Sequence, residues 1–557
     1  MESKVSQAET KRNISNDSQD VSVSNGAILA DNADDLILRA NGHKPQMRRQ
    51  FNWLSALGLG FSITNSWVGY LSNFGQVMTY GGPRLVIAGL VLAFLVQSTI
   101  TVGLAEIGSA FPSSGGQYHF CFLLAPEKTK RFSGYIIGWM SVIAWWVTTS
   151  SGISLAATTL AGIIHFAHPN FTATQWQIYL FFAATAVITI IPIFVASKKV
   201  AFMCQITLLL SVVGVTLMLF AAVGMHQHVQ PASFLASPAA GDTGWGPGVS
   251  WMLGICNGMY AFGGTDAALH ISEEMQQPGR RVPQIIIATL FIGLVTTLPL
   301  FIALLLFSSD TDAIIHSPLP SLELIYQACG SRAGTIFLTT WLLVVYISCL
   351  PSQWVTSGRI AWAFARDNGV PFSPYFSHVS TLLQFPVRTT LAAFIFVLLY
   401  GLLYLASTTA FNSIITSAVL FLNITYVTPQ GILLVRRFTT SKTNSNSNTT
   451  STTSTTIPCT NPTTTTTTTT TILPRRYLNL GPVIGPFCNL FSVLWIVVLG
   501  VFVCFPPEIP VSVEGVNYTA VVVVGIFAVI LLFWAVSGRR TFKGPQVDWE
   551  GLVRQAI

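Results

Sequence analysis

The sequence predicts an all-α integral membrane protein, and three observations lead to that class. The chain has 557 residues, of which 51% are hydrophobic and only 9% are charged. A soluble domain carries about 25% charged residues, so much of this chain is suited to lipid rather than to water. Segments of roughly 20 apolar residues, enough for a helix to cross the hydrocarbon core, recur along the chain. The loops between them also differ sharply in Lys and Arg content, as the loops of membrane proteins do.

We place twelve predicted transmembrane spans along the chain. In chain order, spans 1 to 12 cover residues 53–79, 84–107, 134–164, 175–196, 200–224, 248–270, 284–307, 335–360, 388–406, 411–435, 485–505 and 518–537. Residues 51–437 therefore form a core of spans 1–10, and residues 477–538 carry spans 11 and 12. Residues 438–476 are a threonine-rich, low-complexity cytoplasmic loop, which cannot bury enough apolar surface to fold.

The distribution of basic residues predicts that both termini are cytoplasmic. With the N-terminus inside, only Arg84 and Arg332 of the 28 Lys and Arg residues fall on the outer side, which leaves 26 on the inner side. The positive-inside rule assigns such basic loops to the cytoplasm. Residues 1–50, rich in Ser, Asn and Asp, are predicted to be a disordered cytoplasmic tail, and residues 539–557 are the cytoplasmic C-terminal tail.

The same topology places two glycosylation sequons on the outer side of the membrane. They begin at Asn170 and Asn517. Asn517 lies almost at the membrane surface, so Asn170 is the preferred site. No apolar signal-peptide region precedes the first span, which is therefore expected to direct insertion itself.

Composition and motif spacing argue against several function classes. The net charge of +7 comes from basic residues spread among the loops, so no nucleic-acid-binding surface is predicted. None of the eight cysteines forms a C-x-x-C pair, which argues against a zinc site and a disulfide framework. His270, Glu273 and Glu274 lack the paired histidines of a metalloprotease helix and are interpreted as the solvated inner end of span 6. We therefore predict no enzyme activity, no metal and no cofactor.

Spans 1 and 6 are each interrupted near mid-depth. Span 1 has a polar cluster at residues 64–66, and span 6 has the pair Gly263-Gly264. Paired glycines weaken a helix, because glycine loses the most conformational freedom on ordering. Interrupted helices five spans apart indicate two inverted repeats of five helices, spans 1–5 and 6–10, followed by two extra helices. The half-helix ends would face a common cavity, where N–H groups suit a carboxylate and carbonyl groups suit a cation.

Asp266 lies two residues after the glycine pair of span 6. A carboxylate within a membrane span costs roughly 2.5–3.5 kcal/mol on insertion scales, so Asp266 is a candidate for function and for proton coupling. Trp145 and Ser348 are further candidates because they lie at mid-depth in spans 3 and 8. An aromatic ring at that depth can stack on an ammonium group. The alternative is a glycine face for helix packing, with Asp266 as a structural hydrogen-bonding residue.

Four longer segments together match the motif pattern of a known protein family. They are GLGFSITNSWVGYLS in span 1, AEIGSAFPSSGGQYHF from the end of span 2, NGMYAFGGTDAALHISEEMQQPGRRVPQ from the middle of span 6 and GRIAWAFARDNGVPFSPYFSHVS from the end of span 8. This set resembles the amino acid–polyamine–organocation (APC) superfamily, and most closely its fungal amino acid/choline branch, which includes choline and 4-aminobutyrate permeases. The resemblance covers roughly residues 50–545, apart from the threonine tract.

The resemblance implies a secondary transporter that imports a small amine or amino acid, usually with protons, by alternating access. Carried over residue by residue, the unwound parts of spans 1 and 6 are Thr64, Asn65, Ser66, Trp67, Ala261, Phe262, Gly263 and Gly264. Asp266 matches the acid that follows the break in the family. Some bacterial relatives use a lysine within span 5 for proton coupling, and span 5 of this chain has none, so the coupling group stays open. Family analogy also favours the plasma membrane.

We expect the substrate ammonium group to lie among Trp67, Trp145, Tyr260 and Phe262, with backbone N–H groups receiving any carboxylate. The expected partners are a small cationic or zwitterionic substrate, a coupling proton and the lipid bilayer. The alternative is a non-transporting nutrient sensor on the same scaffold. A long folded regulatory tail would favour that alternative, whereas this N-terminal tail is short.

Overall fold

The computed structural model describes residues 34–238, 241–406, 408–446, 473–474, 476–511 and 516–548. Within these ranges the regular structure is helical, and β-pairing is limited to two isolated bridges, Phe51–Met275 and Ser380–Phe385. The predicted all-α class is confirmed. Ten helical segments of the described chain are long and apolar enough to cross a membrane.

The helices are numbered α1 to α19 after a short helix over residues 34–40. The first nine are α1 (Trp53–Thr64), α2 (Ser66–Ala110), α3 (Gln117–Leu124), α4 (Lys130–Ala167), α5 (Gln175–Val195), α6 (Val200–Met225), α7 (Pro247–Gly258), α8 (Ala267–His270) and α9 (Pro278–Leu306). The others are α10 (Thr311–His316), α11 (Pro320–Cys329), α12 (Arg332–Arg366), α13 (Ser373–Phe376), α14 (Val387–Gly401), α15 (Leu403–Ala406), α16 (Thr408–Asn446), α17 (Gly481–Phe502), α18 (Thr519–Phe533) and α19 (Arg539–Thr541).

The ten candidate spans and the twelve predicted ones differ at two places. One candidate of 58 residues, Trp53–Ala110, covers predicted spans 1 and 2, because helical structure continues through a kink at Gly82 (φ 66°) and Pro83. Glycine adopts this left-handed backbone without strain, and proline has no N–H to continue the helix. Predicted span 6 is absent from the ten because it is divided into short helices. The count of twelve therefore stays a prediction, as does the inverted repeat.

The helices that carry the two interruptions form the centre of the bundle. Helix α2 packs against α7 and α9, and α1 packs against α6 and α9. Helix α4 packs against α12 and α16. This arrangement brings α1, α4, α12 and α16 around one central region at mid-depth.

The N-terminal tail is structured over a longer range than the sequence predicted. Residues 34–50 lie within the described chain, and the side chains of Leu38 and Met47 are buried in the folded protein. The C-terminal segment covers this region, since the backbone N–H of Asp548 donates to the carbonyl of Ala40 at 2.8 Å. Because the tail as a whole has low hydrophobicity, its composition did not predict these few apolar contacts. Residues 1–33, and most of the threonine-rich loop, lie outside the described residues.

Glu273 and Glu274 are buried, which corrects their interpretation as a solvated helix end. Glu273 accepts two hydrogen bonds from Arg366, at 2.9 and 3.0 Å. Glu274 is bound by the guanidinium of Arg359, with one contact at 2.8 Å, and by the amide of Gln50 at 2.7 Å. Their arginine partners are more than 80 positions away in the sequence, so local polarity could not indicate that these acids are covered.

Glu106 at the end of predicted span 2 is likewise buried and paired. Its carboxylate accepts hydrogen bonds from Arg437 and Arg476, each with a shortest contact of 2.8 Å. Removing one partner of such a buried pair is strongly destabilising, because it leaves an uncompensated charge. These acids and arginines thus tie together the ends of α2, α12 and α16 and the chain before α17.

The two sequons differ in accessibility. Asn170 lies in the exposed turn after α4. The side-chain amide nitrogen of Asn517 donates to the carbonyls of Val503 and Phe505, at 2.7 and 2.8 Å. A glycan on Asn517 would replace one of the two amide hydrogens and so break at least one of these bonds, which favours Asn170.

Candidate functional site

The break in span 1 lies at a single residue, Asn65. Helix α1 ends at Thr64 and α2 begins at Ser66, while Asn65 has φ 28° and ψ 61°. Its side chain is fixed on both sides, since its oxygen accepts from the Ser211 hydroxyl at 2.8 Å and its nitrogen donates to Cys349 Sγ at 3.2 Å. A helix end leaves terminal carbonyl and N–H groups without helical partners. The break therefore presents polar backbone at the centre of the bundle.

The break in span 6 is longer. After α7 the chain forms a 3-10 turn over Met259–Phe262, becomes extended at Gly263 and reaches Gly264 with φ +72° before α8 begins. A Cβ on Gly264 would lie 2.7 Å from Cγ2 of Ile63 in α1. The predicted interruption of both spans is confirmed, and the two breaks touch each other.

A cavity of about 50 Å³ lies between the two breaks. Helices α1, α2, α4, α12 and α16 and the span 6 break contribute its walls. The lining residues are Ser62, Ile63, Thr64, Asn65, Val68, Gly69, Thr148, Gly152, Leu155, Tyr260, Gly263, Tyr346, Cys349, Leu350, Gln353, Ala418, Val419 and Leu422. Within the described chain, this lining has hydroxyl, amide and thiol groups but no charged side chain.

Two polar atoms in the lining are buried and lack a hydrogen-bond partner within the described chain. They are Thr64 Oγ1, at the end of α1, and Gln353 Oε1, on α12. A buried polar atom without a partner costs about 1–3 kcal/mol, so such atoms are uncommon in folded proteins. An amide oxygen only accepts hydrogen bonds, whereas a hydroxyl both donates and accepts. Together they suit a small ligand with N–H or O–H donors.

Two tyrosines place aromatic rings at the cavity. The Tyr260 hydroxyl lies 3.0 Å from Ser151 Oγ, and the Tyr346 hydroxyl lies 2.7 Å from Ser72 Oγ. Because each hydroxyl is already bonded to the surrounding helices, the rings are held in place. Their faces can attract a cation, an interaction worth about 0.5–2 kcal/mol per ring.

Asp266 does not line the cavity. Its carboxylate accepts four hydrogen bonds in a buried network: from Gln117 at 2.6 Å, from Trp145 at 3.1 Å and from His270 at 3.0 Å on Oδ2, and from Tyr426 at 2.6 Å on Oδ1. These donors come from α3, α4, α8 and α16. Asp266 therefore joins four helices behind the span 6 break, and both of its oxygens accept hydrogen bonds from the protein.

The structure brings together only part of the predicted site. Thr64, Asn65, Tyr260 and Gly263 line the cavity, whereas the other candidates pack outside its lining. Those others are Ser66, Trp67, Trp145, Ala261, Phe262, Gly264 and Ser348. Gly264 contacts α1 instead, as described above, and Ala261 is fully buried.

The indoles expected around the ammonium group are used elsewhere. Trp67 donates to Ser211 at 2.9 Å, and Trp145 donates to Asp266. Phe262 packs edge-to-face on Phe94, with ring centroids 5.6 Å apart. Of the four aromatic residues expected at the substrate, only Tyr260 lies at the cavity.

Two of the candidates outside the cavity lining, Ser348 and Ser66, have different local contacts. The Ser348 hydroxyl donates to the carbonyl of Val345 in its own helix, at 2.9 Å. The Ser66 hydroxyl is buried without a partner in the described chain, but it faces α9, where a Cβ on Gly293 would lie 2.1 Å from it. The position of a residue along a span does not indicate which side of the helix its side chain faces, and neither residue lines the cavity.

Several lining residues were not singled out from the sequence. Thr148 and Gly152 on α4, and Cys349 and Gln353 on α12, lie in the cavity wall. A single polar residue in an apolar span is weak evidence by itself. The spacing of Tyr346, Cys349 and Gln353, three and four residues apart, places them on one helical face and is the signal that was available.

We predict that Tyr426→Phe destabilises the protein by about 1–3 kcal/mol, because it removes the 2.6 Å donor to Asp266 but keeps the ring. Thermal unfolding of the purified protein in detergent would measure the change. Tyr375→Phe is the matched control, since Tyr375 is exposed. Equal unfolding temperatures for Tyr426→Phe and the control would contradict the importance of this network.

Comparison with known proteins gives a consistent assignment. A model of the family described as amino acid permease matches residues 51–527. A choline transporter of Saccharomyces cerevisiae is 30% identical over 534 residues, which cover 93% of this chain and 85% of that protein. The transmembrane transporter swnT of Metarhizium robertsii is 27% identical, over 90% of this chain and 94% of that protein.

A third relative is a 7-keto 8-aminopelargonic acid transporter of Saccharomyces cerevisiae, 25% identical over 86% of this chain and 91% of that protein. The family match spans both interrupted helices, the cavity and most of the described bundle. The resemblance inferred from four short segments is thus confirmed over almost the whole chain. The chain belongs to the amino acid permease family of the APC superfamily.

Proposed function

We propose that this permease is a secondary active transporter that imports a small cationic or zwitterionic amine, such as choline or 4-aminobutyrate, by alternating access. The observation that carries the proposal is the central cavity, where two interrupted helices meet and two buried polar atoms lack partners. Discontinuous helices that end at a common cavity are a typical substrate site of secondary transporters.

The chemistry of the lining favours an amine over an anion. Gln353 Oε1 can accept a hydrogen bond from an ammonium group, and the carbonyl end of α1 carries a partial negative charge. The rings of Tyr260 and Tyr346 can attract a quaternary ammonium group, which has no N–H to donate. If the substrate also has a carboxylate, the N–H groups at the start of α2 can receive it.

The small cavity volume supports a transport cycle with large movements. Ligand pockets usually measure about 300–1,000 Å³, well above the 50 Å³ between the breaks. Entry of a choline-sized molecule therefore requires the walls to separate. The Glu106–Arg437 pair and the other buried ion pairs hold the helix ends together on the proposed cytoplasmic side. These ion pairs would have to break for the cavity to open to the cytoplasm.

We further propose that uptake is coupled to protons through Asp266. This carboxylate lies behind the span 6 break, and its donors belong to four different helices. A relative movement of these helices would remove some of the donors, which favours the protonated acid over the carboxylate. Proton binding and helix movement would then be linked.

The proposed location is the plasma membrane, with both termini in the cytoplasm. The excess of Lys and Arg on one side of the membrane supports this orientation. The second candidate function is a nutrient sensor on the same scaffold. Such a sensor would bind the substrate without net uptake, unlike the proposed transporter.

Uptake of radiolabelled compounds into cells that lack their own carriers tests the function. The panel should contain choline, 4-aminobutyrate, other amino acids and polyamines, each with and without a proton gradient. We expect saturable uptake of at least one amine, reduced when a protonophore removes the gradient. Binding without uptake would favour the sensor, and dependence on sodium alone would contradict proton coupling.

We predict that Asp266→Asn abolishes concentrative uptake but retains exchange of internal for external substrate, since exchange requires no net proton movement. Proteoliposomes with an imposed pH gradient would measure accumulation, and counterflow would measure exchange. Asp312→Asn is the control, because Asp312 is exposed. Normal proton-driven accumulation by Asp266→Asn would contradict the assignment of Asp266.

A further inference from the structure

Two histidines and an aspartate from three distant parts of the chain meet in a buried cluster outside the cavity. They are His43 in the N-terminal segment, His119 on α3 and Asp367 directly after α12. One potential ligand atom from each lies within 4.8 Å of the others. All three side chains are buried, with exposed fractions of 3%, 0% and 6%. Nothing in the proposed transport cycle uses them.

We propose that these three residues bind a divalent transition-metal ion, Zn²⁺ by preference. Two imidazole nitrogens and one carboxylate oxygen form a donor set found in zinc sites, where a fourth position is taken by water or another ligand. Zinc prefers such nitrogen and oxygen donors in a tetrahedral arrangement. The site would join the N-terminal segment to α3 and to the end of α12.

His119 supplies an independent indication of a ligand at this place. Both of its ring nitrogens are buried and have no hydrogen-bond partner within the described chain. At least one ring nitrogen of an imidazole carries a hydrogen, and the other accepts, so two unmet groups are costly in a buried place. A metal ion bound to one nitrogen would satisfy it. No hydrogen bond of the described chain holds the ring in its present orientation.

The distances suit a small tetrahedral ion. His43 Nε2 and Asp367 Oδ1 are 3.2 Å apart. Ligand atoms about 2.0–2.1 Å from a tetrahedral zinc ion lie about 3.3–3.4 Å from each other. The rings of His43 and His119 have centroids 5.3 Å apart, so a modest rotation of His119 would bring its nitrogen into range.

The surroundings also resemble those of metal ligands. The Tyr118 hydroxyl donates to Asp367 Oδ2 at 2.9 Å, while Oδ1 and His43 Nε2 form a direct hydrogen bond at 3.2 Å that an ion between them would replace. Such outer hydrogen bonds orient metal-bound carboxylates and histidines. The nearest cation, Arg366, is 3.9 Å from Asp367 Oδ1, but its charge is balanced by two hydrogen bonds to Glu273.

Zinc binding to the purified full-length protein in detergent tests the site. Isothermal titration with ZnCl₂ is expected to give one high-affinity ion per chain. His119→Gln removes a ligand without breaking any hydrogen bond of the described chain, and it should weaken binding at least ~100-fold. Tyr118→Phe removes only an outer hydrogen bond and should weaken binding about 10–100-fold. His228→Gln is the control, since His228 is exposed.

A second readout separates a metal site from a structural histidine. Zn²⁺ should raise the unfolding temperature of the native protein and of His228→Gln, but not that of His119→Gln, because an ion stabilises only a fold that binds it. If His119→Gln is not monodisperse, His43→Gln serves the same comparison. Absence of a stoichiometric site, or equal zinc affinity in the native protein and the ligand variants, would overturn the proposal.

Discussion

Two interrupted helices meet at Gly264, where span 6 lies against Ile63 of α1. The backbone there has φ +72°, and a Cβ would lie 2.7 Å from the Ile63 side chain. Glycine therefore satisfies two constraints at once, the left-handed conformation and the close approach. Within a bilayer, non-helical backbone is tolerated only where protein or an aqueous cavity surrounds it. The central cavity and the enclosing helices α4, α12 and α16 meet this condition.

The contact at Gly264 also separates two kinds of polar environment. On one side is the cavity, whose described lining has unpartnered polar atoms and no charged side chain. On the other side is Asp266, whose carboxylate is surrounded by donors from four helices. A substrate in the cavity and a proton on Asp266 would thus act on the same short, non-helical segment from opposite sides. The proposed coupling of substrate binding to protonation would act through this segment.

The sequence predicted the helical class and the two interruptions because both depend on local patterns. The polar cluster at residues 64–66 and the pair Gly263-Gly264 can each be recognised because the rest of the span is apolar. Depth indicated Trp145 and the family resemblance indicated Trp67, but side-chain direction depends on packing against other helices. Both indoles donate to buried partners instead of lining the cavity. Gln353 was missed because a single polar residue does not show which way it faces, and only its spacing from Tyr346 and Cys349 indicated a shared helical face.

Contacts between distant segments were the least predictable. Glu274 and Arg359 are 85 positions apart, and His43 and Asp367 are 324 positions apart. No spacing rule connects such residues. The composition of residues 1–50 predicted a disordered tail, because an average over 50 polar residues hides the few apolar side chains of residues 34–50 that pack on the bundle.

The initial rate of substrate uptake by Gly264→Ala tests the central claim most directly. The left-handed backbone costs a non-glycine residue about 1–2 kcal/mol, and the added methyl group also displaces Ile63. We expect uptake to fall at least ~10-fold at an unchanged amount of protein in the membrane, since each 1.4 kcal/mol corresponds to a factor of ten. Gly248→Ala in α7, where a Cβ would meet nothing within 4 Å, should transport normally. Equal uptake by the two variants would contradict a site built on the contact between the two breaks.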